Sequence, residues 1–144
     1  MSFDRKASAG YLANHLARLF ARAIHARIKP LGLSPGTFPA MLELWAEDGL
    51  SQRELVARLD IEQATMANTL SRMERDGLVK RLRDEHDGRL QRVWLTEKGR
   101  ALEAPAVAAA EAVNAQALAA LPPEERVRFR DAMAKVIAGL QGGS

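Results

Sequence analysis

The sequence predicts a mainly α-helical fold carrying one small antiparallel β-hairpin. Three observations lead there. Apolar residues recur at helical spacing over most of the 144 residues. Glycine, proline and capping residues break that pattern into segments of ordinary helix length. One stretch departs from it: RLRDEHDGRLQRVWL, residues 81–95, alternates apolar and polar residues on either side of a charged tip.

The elements follow in order. Residues 9–29 place Leu12, Leu16, Leu19 and Ala23 on one helical stripe, widened by Phe20, Ile24 and Ile28, with Arg18, Arg22 and Arg27 largely outside it. Pro30 and Gly32 stop this helix. Ser34-Pro35 reads as an N-cap with proline at the first helical position. The helix behind it runs to about Glu47 and buries Phe38, Met41, Leu42 and Trp45, with Asp48-Gly49 as its end. Ser51 with Glu54 three residues later forms a capping box before a short helix that buries Leu55, Val56 and Leu59.

Asp60 to Gln63 then make a turn and a second cap. From Glu62 to Asp76 the apolar residues are Met66, Leu70 and Met73, and Gly77 stands where a helix C-terminus favours positive φ. The runs LVKRLR and LQRVWL enclose Asp87-Gly88, a hairpin turn signal. Thr96 caps an alanine-rich helix lasting to Leu121. Pro122-Pro123 breaks the chain, and a last helix carries Val127, Met133, Val136, Ile137 and Leu140, before a Gly142-Gly143-Ser144 end.

Composition narrows the function. Cysteine is absent, which excludes disulfides, thiol catalysis, thiol redox sensing and cysteine-based zinc sites. The N-terminus lacks the apolar core of a signal peptide, and no run approaches a membrane span, so the expectation is a cytoplasmic protein without a membrane partner. Net charge is +3 and the pI about 9.7. Charge is unevenly spread: +5 over residues 1–42, −4 over 43–71, +2 over 72–92, and zero beyond. The three histidines do not make a catalytic or metal centre. His15 and His25 lie ten residues apart on one helix, about 80° out of alignment at 100° per residue, and His86 sits in the hairpin tip. No zinc-protease helix, phosphate-cradling glycine loop or serine elbow occurs. We expect no enzyme activity, no cofactor and no metal.

Two short helices joined by a tight turn, then a glycine and a two-stranded finger, is the order of a winged helix-turn-helix. Turning Met66, Leu70 and Met73 inward puts Ala64, Thr65, Asn68, Ser71, Arg72 and Arg75 outward. Small residues there let the helix approach a surface, and Thr, Asn and Arg suit base edges and phosphates. Candidate contacts to double-stranded DNA are Ser51 and Gln52 at the preceding helix N-terminus, Gln63, Ala64, Thr65, Asn68, Thr69, Arg72 and Arg75 in the second helix, and Arg83, Arg89 and Arg92 in the finger. Arg89 at the tip suits a neighbouring minor groove. Arg83, Arg92 and Lys80 suit the backbone, and Asp87 is placed to orient Arg89 or cap the turn. An alternative is a winged-helix module for protein–protein binding without DNA, which has no need of cations at Arg72, Arg75 and Arg89.

The run from Leu50 to Leu102 resembles the DNA-binding core of the MarR family of bacterial regulators. The matching residues are Glu54-Leu55 with Leu59, Thr65, Glu74-Arg75-Asp76-Gly77-Leu78, Asp87-Gly88-Arg89 and Leu95-Thr96-Glu97-Lys98-Gly99. Two positions depart from the pattern. Gly88 stands where the family wing often has its first arginine, and Ala64 stands where proline is common. The resemblance implies a single domain over 1–144: a winged helix-turn-helix DNA-binding lobe at 34–100, with dimerisation helices at 8–30 and 101–141. It implies a homodimer, a use for the small side chains of 101–120, binding a pseudo-palindromic operator as a ligand-responsive repressor. A small aromatic or anionic effector would be met by His15, Arg18 and Arg22 on the first helix and Met41 and Trp45 on the second.

Overall fold

The computed structural model describes residues 2–142. In chain order the elements are α1 (Ala9–Ile28), α2 (Phe38–Ala46), α3 (Gln52–Leu59), α4 (Gln63–Arg75), β1 (Val79–Arg83), β2 (Gln91–Leu95), α5 (Glu97–Ala101), α6 (Glu103–Ala117) and α7 (Pro123–Gly142). The chain divides into two compact units, one ending at Ala110 and one beginning at Glu111. The fold is mainly helical with a two-stranded antiparallel sheet, as the periodicities predict.

In the first unit, α2, α3, α4 and the base of the hairpin enclose one apolar core. Met66, Leu70 and Met73 of α4 are buried, and Leu44, Leu55, Leu78, Val79 and Val93 meet them from the other elements. The 3.6-residue period leaves no other face of α4 able to cover that core. Ser51 and Glu54 close the capping box of α3 with two 3.0 Å bonds, Glu54 N–H to Ser51 Oγ and Ser51 N–H to Glu54 Oε1. Asp60, at φ 52, turns the chain out of α3, and Gly77, at φ 77, turns it out of α4. In the hairpin Val79 lies opposite Leu95, Arg81 opposite Val93 and Arg83 opposite Gln91. β2 also bonds the segment before α3, Val93 N–H to Leu50 O at 2.8 Å and Gly49 N–H to Val93 O at 3.1 Å, so the wing is fastened to the helix pair.

Four local expectations are corrected. First, α2 starts at Phe38, because Pro39 has no N–H to donate to the carbonyl of Pro35. Ser34 instead opens a separate turn, its Oγ accepting from Thr37 N–H. Second, α2 buries Leu44 and exposes Leu42. Third, the strands are joined by residues 84–90 rather than by a two-residue turn at Asp87-Gly88, and Gly88 does not have positive φ. The loop closes through Asp84 N–H to Leu90 O at 2.9 Å. Fourth, the helix capped by Thr96 is interrupted at Leu102 and α6 ends at Ala117. Pro105, in the first turn of α6, has no N–H for the Ala101 carbonyl, and its ring crowds that oxygen.

In the second unit α7 exposes Val127, Val136, Ile137 and Leu140. Arg126 Nε donates to Leu121 O at 2.7 Å across the turn that opens α7. Among the described residues no helix is long and apolar enough to cross a membrane.

Candidate nucleic-acid interface

The outer face of α4 carries Gln63, Ala64, Thr65, Asn68, Ser71, Arg72 and Arg75, all exposed, with Thr69 half-buried at its edge. No large apolar side chain lies on this face. Its axis is held against the wing by Arg81 of β1. That guanidinium donates to Glu74 Oε1 through Nε at 3.2 Å and Nη2 at 3.0 Å, and to Ser71 Oγ at 3.3 Å, while Arg81 N–H donates to Glu74 Oε2 at 3.0 Å. These bonds, the backbone one first, hold the Glu74 carboxyl below its ordinary range. Arg81 was not among the sequence candidates; its place opposite Val93, on the strand face turned to α4, only the register reveals.

The wing sorts its arginines. Arg89 projects from the loop with its side chain 93% exposed, and Asp87 Oδ1 accepts from both its N–H (3.0 Å) and its Nε (3.2 Å). Asp87 thus orients Arg89, as the sequence predicts. Arg83 is exposed. Arg92 is turned inward, a correction to its placement along the backbone. Its Nε donates to Asp84 Oδ1 at 2.6 Å, its Nη1 donates to Gly49 O at 3.0 Å, and the Glu54 carboxylate lies 3.5 Å from Nη1. Arg92 is a strut between wing and α3. Asp84 also accepts from the N–H groups of His86 and Asp87. Arg92 first, and then those amides, lower its pKa. Lys80 pairs with Trp94 on the ribbon face opposite Arg81 and Arg83.

Ser51 is likewise spent: it is buried and its Oγ serves the capping box. Its neighbour Gln52 remains partly open. Gln52, Arg53, Gln63, Arg83, Gly88, Arg89 and Gln91 line a pocket of about 390 Å³ between the starts of α3 and α4 and the wing. Arg53 was missed at the level of sequence. The available signal is that a cation in the first turn of a helix opposes the helix dipole, so it is not there to stabilise α3.

Of the effector candidates, His15, Arg18 and Arg22 are exposed on α1. Met41 is fully buried in the core, and Trp45 donates its indole N–H to Gly99 O at 2.9 Å while meeting Phe38 edge-on at 6.1 Å. Both have structural duties that the apolar spacing of α2 explains. Among the described residues no group of three or more acidic or histidine side chains could hold a metal ion.

Glu54, Glu74 and Asp84 are all held below the ordinary carboxylate pKa, Glu54 chiefly by the Ser51 N–H. A carboxyl depressed in the folded state contributes stability that is present above its unfolded value, about 4, and lost as pH falls through the folded one. The melting temperature is therefore expected to fall as pH is lowered from about 5 towards 3, and Asp84→Asn to flatten that dependence. A profile over this range that is equally steep in wild type and Asp84→Asn would contradict the bonding described for Asp84.

Helix pair, exposed second helix and fastened two-stranded wing together define a winged helix-turn-helix. The MarR family model matches residues 31–90. Transcriptional regulator HosA of Escherichia coli is 31% identical over 105 residues, covering 73% of this chain and 78% of that one. The chain belongs to the MarR family and is a transcriptional regulator, not an enzyme. HTH-type transcriptional regulator TtmR of Methylorubrum extorquens is 37% identical over 87 residues, 60% of this chain but only 45% of TtmR, so the chain matches less than half of that relative's length.

Solved structures agree on the fold. A MarR transcriptional regulator from Methanosarcina mazei Go1 superposes with a TM-score of 0.88 at 29% identity, covering 94% of this chain and 97% of that one. PcaV of Streptomyces coelicolor, solved with its natural ligand, gives 0.86 at 27%, covering 97% and 99%. A MarR-family regulator of Listeria monocytogenes complexed with 26mer DNA gives 0.84 at 24%, covering 97% and 90%.

Proposed function

We propose that the chain acts as a homodimer on a pseudo-palindromic operator, with α4 in the major groove and Arg89 of the wing in the adjacent minor groove. The observation that carries this reading is the division of α4: its apolar residues are buried while Thr65, Asn68 and Arg72 stand exposed, their side chains with no hydrogen bond or ion pair among the described residues. Gln52, Gln63, Ala64, Thr69, Arg75 and Arg83 complete the contact set, with Arg92 and Ser51 as supports. The DNA-bound Listeria relative supports the same use of the fold. A protein-binding module would present apolar side chains on α4 where this chain has small and cationic ones.

The DNA-binding lobe is assigned to residues 34–100. Dimerisation is assigned to 8–30 and 101–141, supported by the apolar residues exposed on α1 (Tyr11, Leu12, Leu19) and, separately, on α7 (Val127, Val136, Ile137, Leu140). Two copies would set recognition helices about one duplex turn apart. We assign repression relieved by a small aromatic or anionic effector, supported by the ligand complex of PcaV, with His15, Arg18 and Arg22 as the exposed groups available to it. Such a regulator works in the cytoplasm. Release of DNA by an aromatic carboxylic acid in a gel shift is the readout for the effector, and lack of release by a panel of such acids would count against it.

The reading is tested by titrating the protein against DNA upstream of its own gene at several salt concentrations. Log affinity is expected to fall steeply with log salt, because several phosphates are neutralised. Binding that is absent at nanomolar protein, or indifferent to salt, would sink it. Arg89→Ala is expected to weaken the complex by roughly 1–3 kcal/mol, the scale of a lost groove contact, without altering the oligomeric state. An unchanged affinity would remove the wing from the interface.

A further inference from the structure

We infer that the pocket between α3, the start of α4 and the wing seats a phosphodiester of the DNA strand separating the two grooves, with Arg53 and Arg83 as its charged contacts. The inference rests on the proposed docking of α4 and Arg89. If α4 fills a major groove and Arg89 enters the neighbouring minor groove, one sugar-phosphate strand must pass between them. The surface between them is this pocket, with Gln63 at the α4 side and Gly88, Arg89 and Leu90 at the wing side. It is therefore the floor under that strand.

Its chemistry suits a phosphate. Arg53 and Arg83 are exposed and, among the described residues, make no ion pair, whereas Arg81 and Arg92 a few residues away are consumed by Glu74 and Asp84. Two guanidinium groups that line one concavity without an ion pair offer an anion a shared seat, and guanidinium matches a phosphate's paired oxygens. Gln52 and Gln91 add neutral amides at the rim. Gly88 contributes no side chain, and a Cβ built there meets nothing within 4 Å, so the wing leaves the pocket open on that side. Arg53 supplies from α3 a cation that the wing does not place there.

The test uses the 144-residue chain and its Arg53→Gln, Arg83→Gln and Gly88→Arg variants. Each is titrated over a range of potassium chloride against the upstream duplex and an unrelated one of equal length. Each glutamine variant is expected to lower the slope of log affinity on log salt by about one, the release of one phosphate contact, and to weaken both duplexes alike. Gly88→Arg is expected to steepen the slope. Slopes unchanged in Arg53→Gln and Arg83→Gln, on a wild type that does bind duplex, would overturn the pocket assignment. A wild type that binds no duplex would instead overturn the function on which it rests. Inorganic phosphate provides the second arm. If it raises the melting temperature of wild type but not of Arg53→Gln while the duplex slopes stay unmoved, the seat belongs to free anions and the strand assignment is overturned.

Discussion

Gly99→Ala is expected to destabilise the first unit by roughly 3 kcal/mol, the upper end of the overpacking range, and to lower its melting temperature by about 10 °C. Gly99 lies in α5, where a Cβ would run into the carbonyl oxygen of Leu78. That oxygen is held in place by Thr96 N–H, which donates to it at 3.0 Å at the base of the wing, while the Thr96 hydroxyl donates to the neighbouring Gly77 O at 2.6 Å. Gly99 N–H is capped by Thr96 Oγ1 and its carbonyl receives the Trp45 indole, so α5 cannot slide away without losing both. The backbone of Gly99 does not have positive φ, which makes the cost steric. Gly32 provides the opposite control. It has φ 79 with open space around it, so Gly32→Ala should cost only the left-handed penalty, about 1–2 kcal/mol. Thermal denaturation of the two variants decides the matter. A Gly99→Ala chain no less stable than Gly32→Ala would show that α5 is not pressed against Leu78.

The core of the lobe was legible in sequence because helical amphipathicity is a local property. Met66, Leu70 and Met73 declare their face by spacing, and the capping box declares where α3 begins. What escaped reading depends on partners distant in the chain. Asp87-Gly88 has the composition of a tight turn, yet the strands end earlier because Asp84 collects two backbone amides and the Arg92 guanidinium eight residues on. Arg89 and Arg92 are the same residue type three positions apart. One projects into solvent with Asp87 as its only partner among the described residues, and the other is turned inward on Asp84, Gly49 and Glu54, a difference set by strand register and by the attachment of β2 to the segment before α3. The break at Leu102 was within reach, since Pro105 announces it. The start of α2 was hidden by a Ser-Pro pair that satisfies the capping pattern three residues early.

Asn68→Glu is expected to reduce affinity for the upstream duplex at least about a hundredfold, because a like charge pressed against a partner costs several kcal/mol. Asn68 sits mid-way along α4, exposed, its side chain without a hydrogen-bond partner among the described residues, so that side chain has no structural bond to lose. Glutamate is at least as good a helix former as asparagine, and the nearby Arg72 at i+4 gives it a compatible neighbour. The folded chain should therefore keep its melting temperature, and any loss of binding belongs to the interface. The sign separates the two readings of the fold. A negative charge on the face of α4 is repelled by phosphates and by the acceptor-rich major-groove edge of guanine, but a protein partner recruited by Arg72 and Arg75 has no such uniform charge. The check is a gel shift of wild type, Asn68→Glu and Asn68→Ala at one salt concentration, with thermal melts alongside. Alanine should lose far less than glutamate, since it removes a contact without adding a repulsion. Equal affinities for all three at equal stability would mean that α4 does not face DNA.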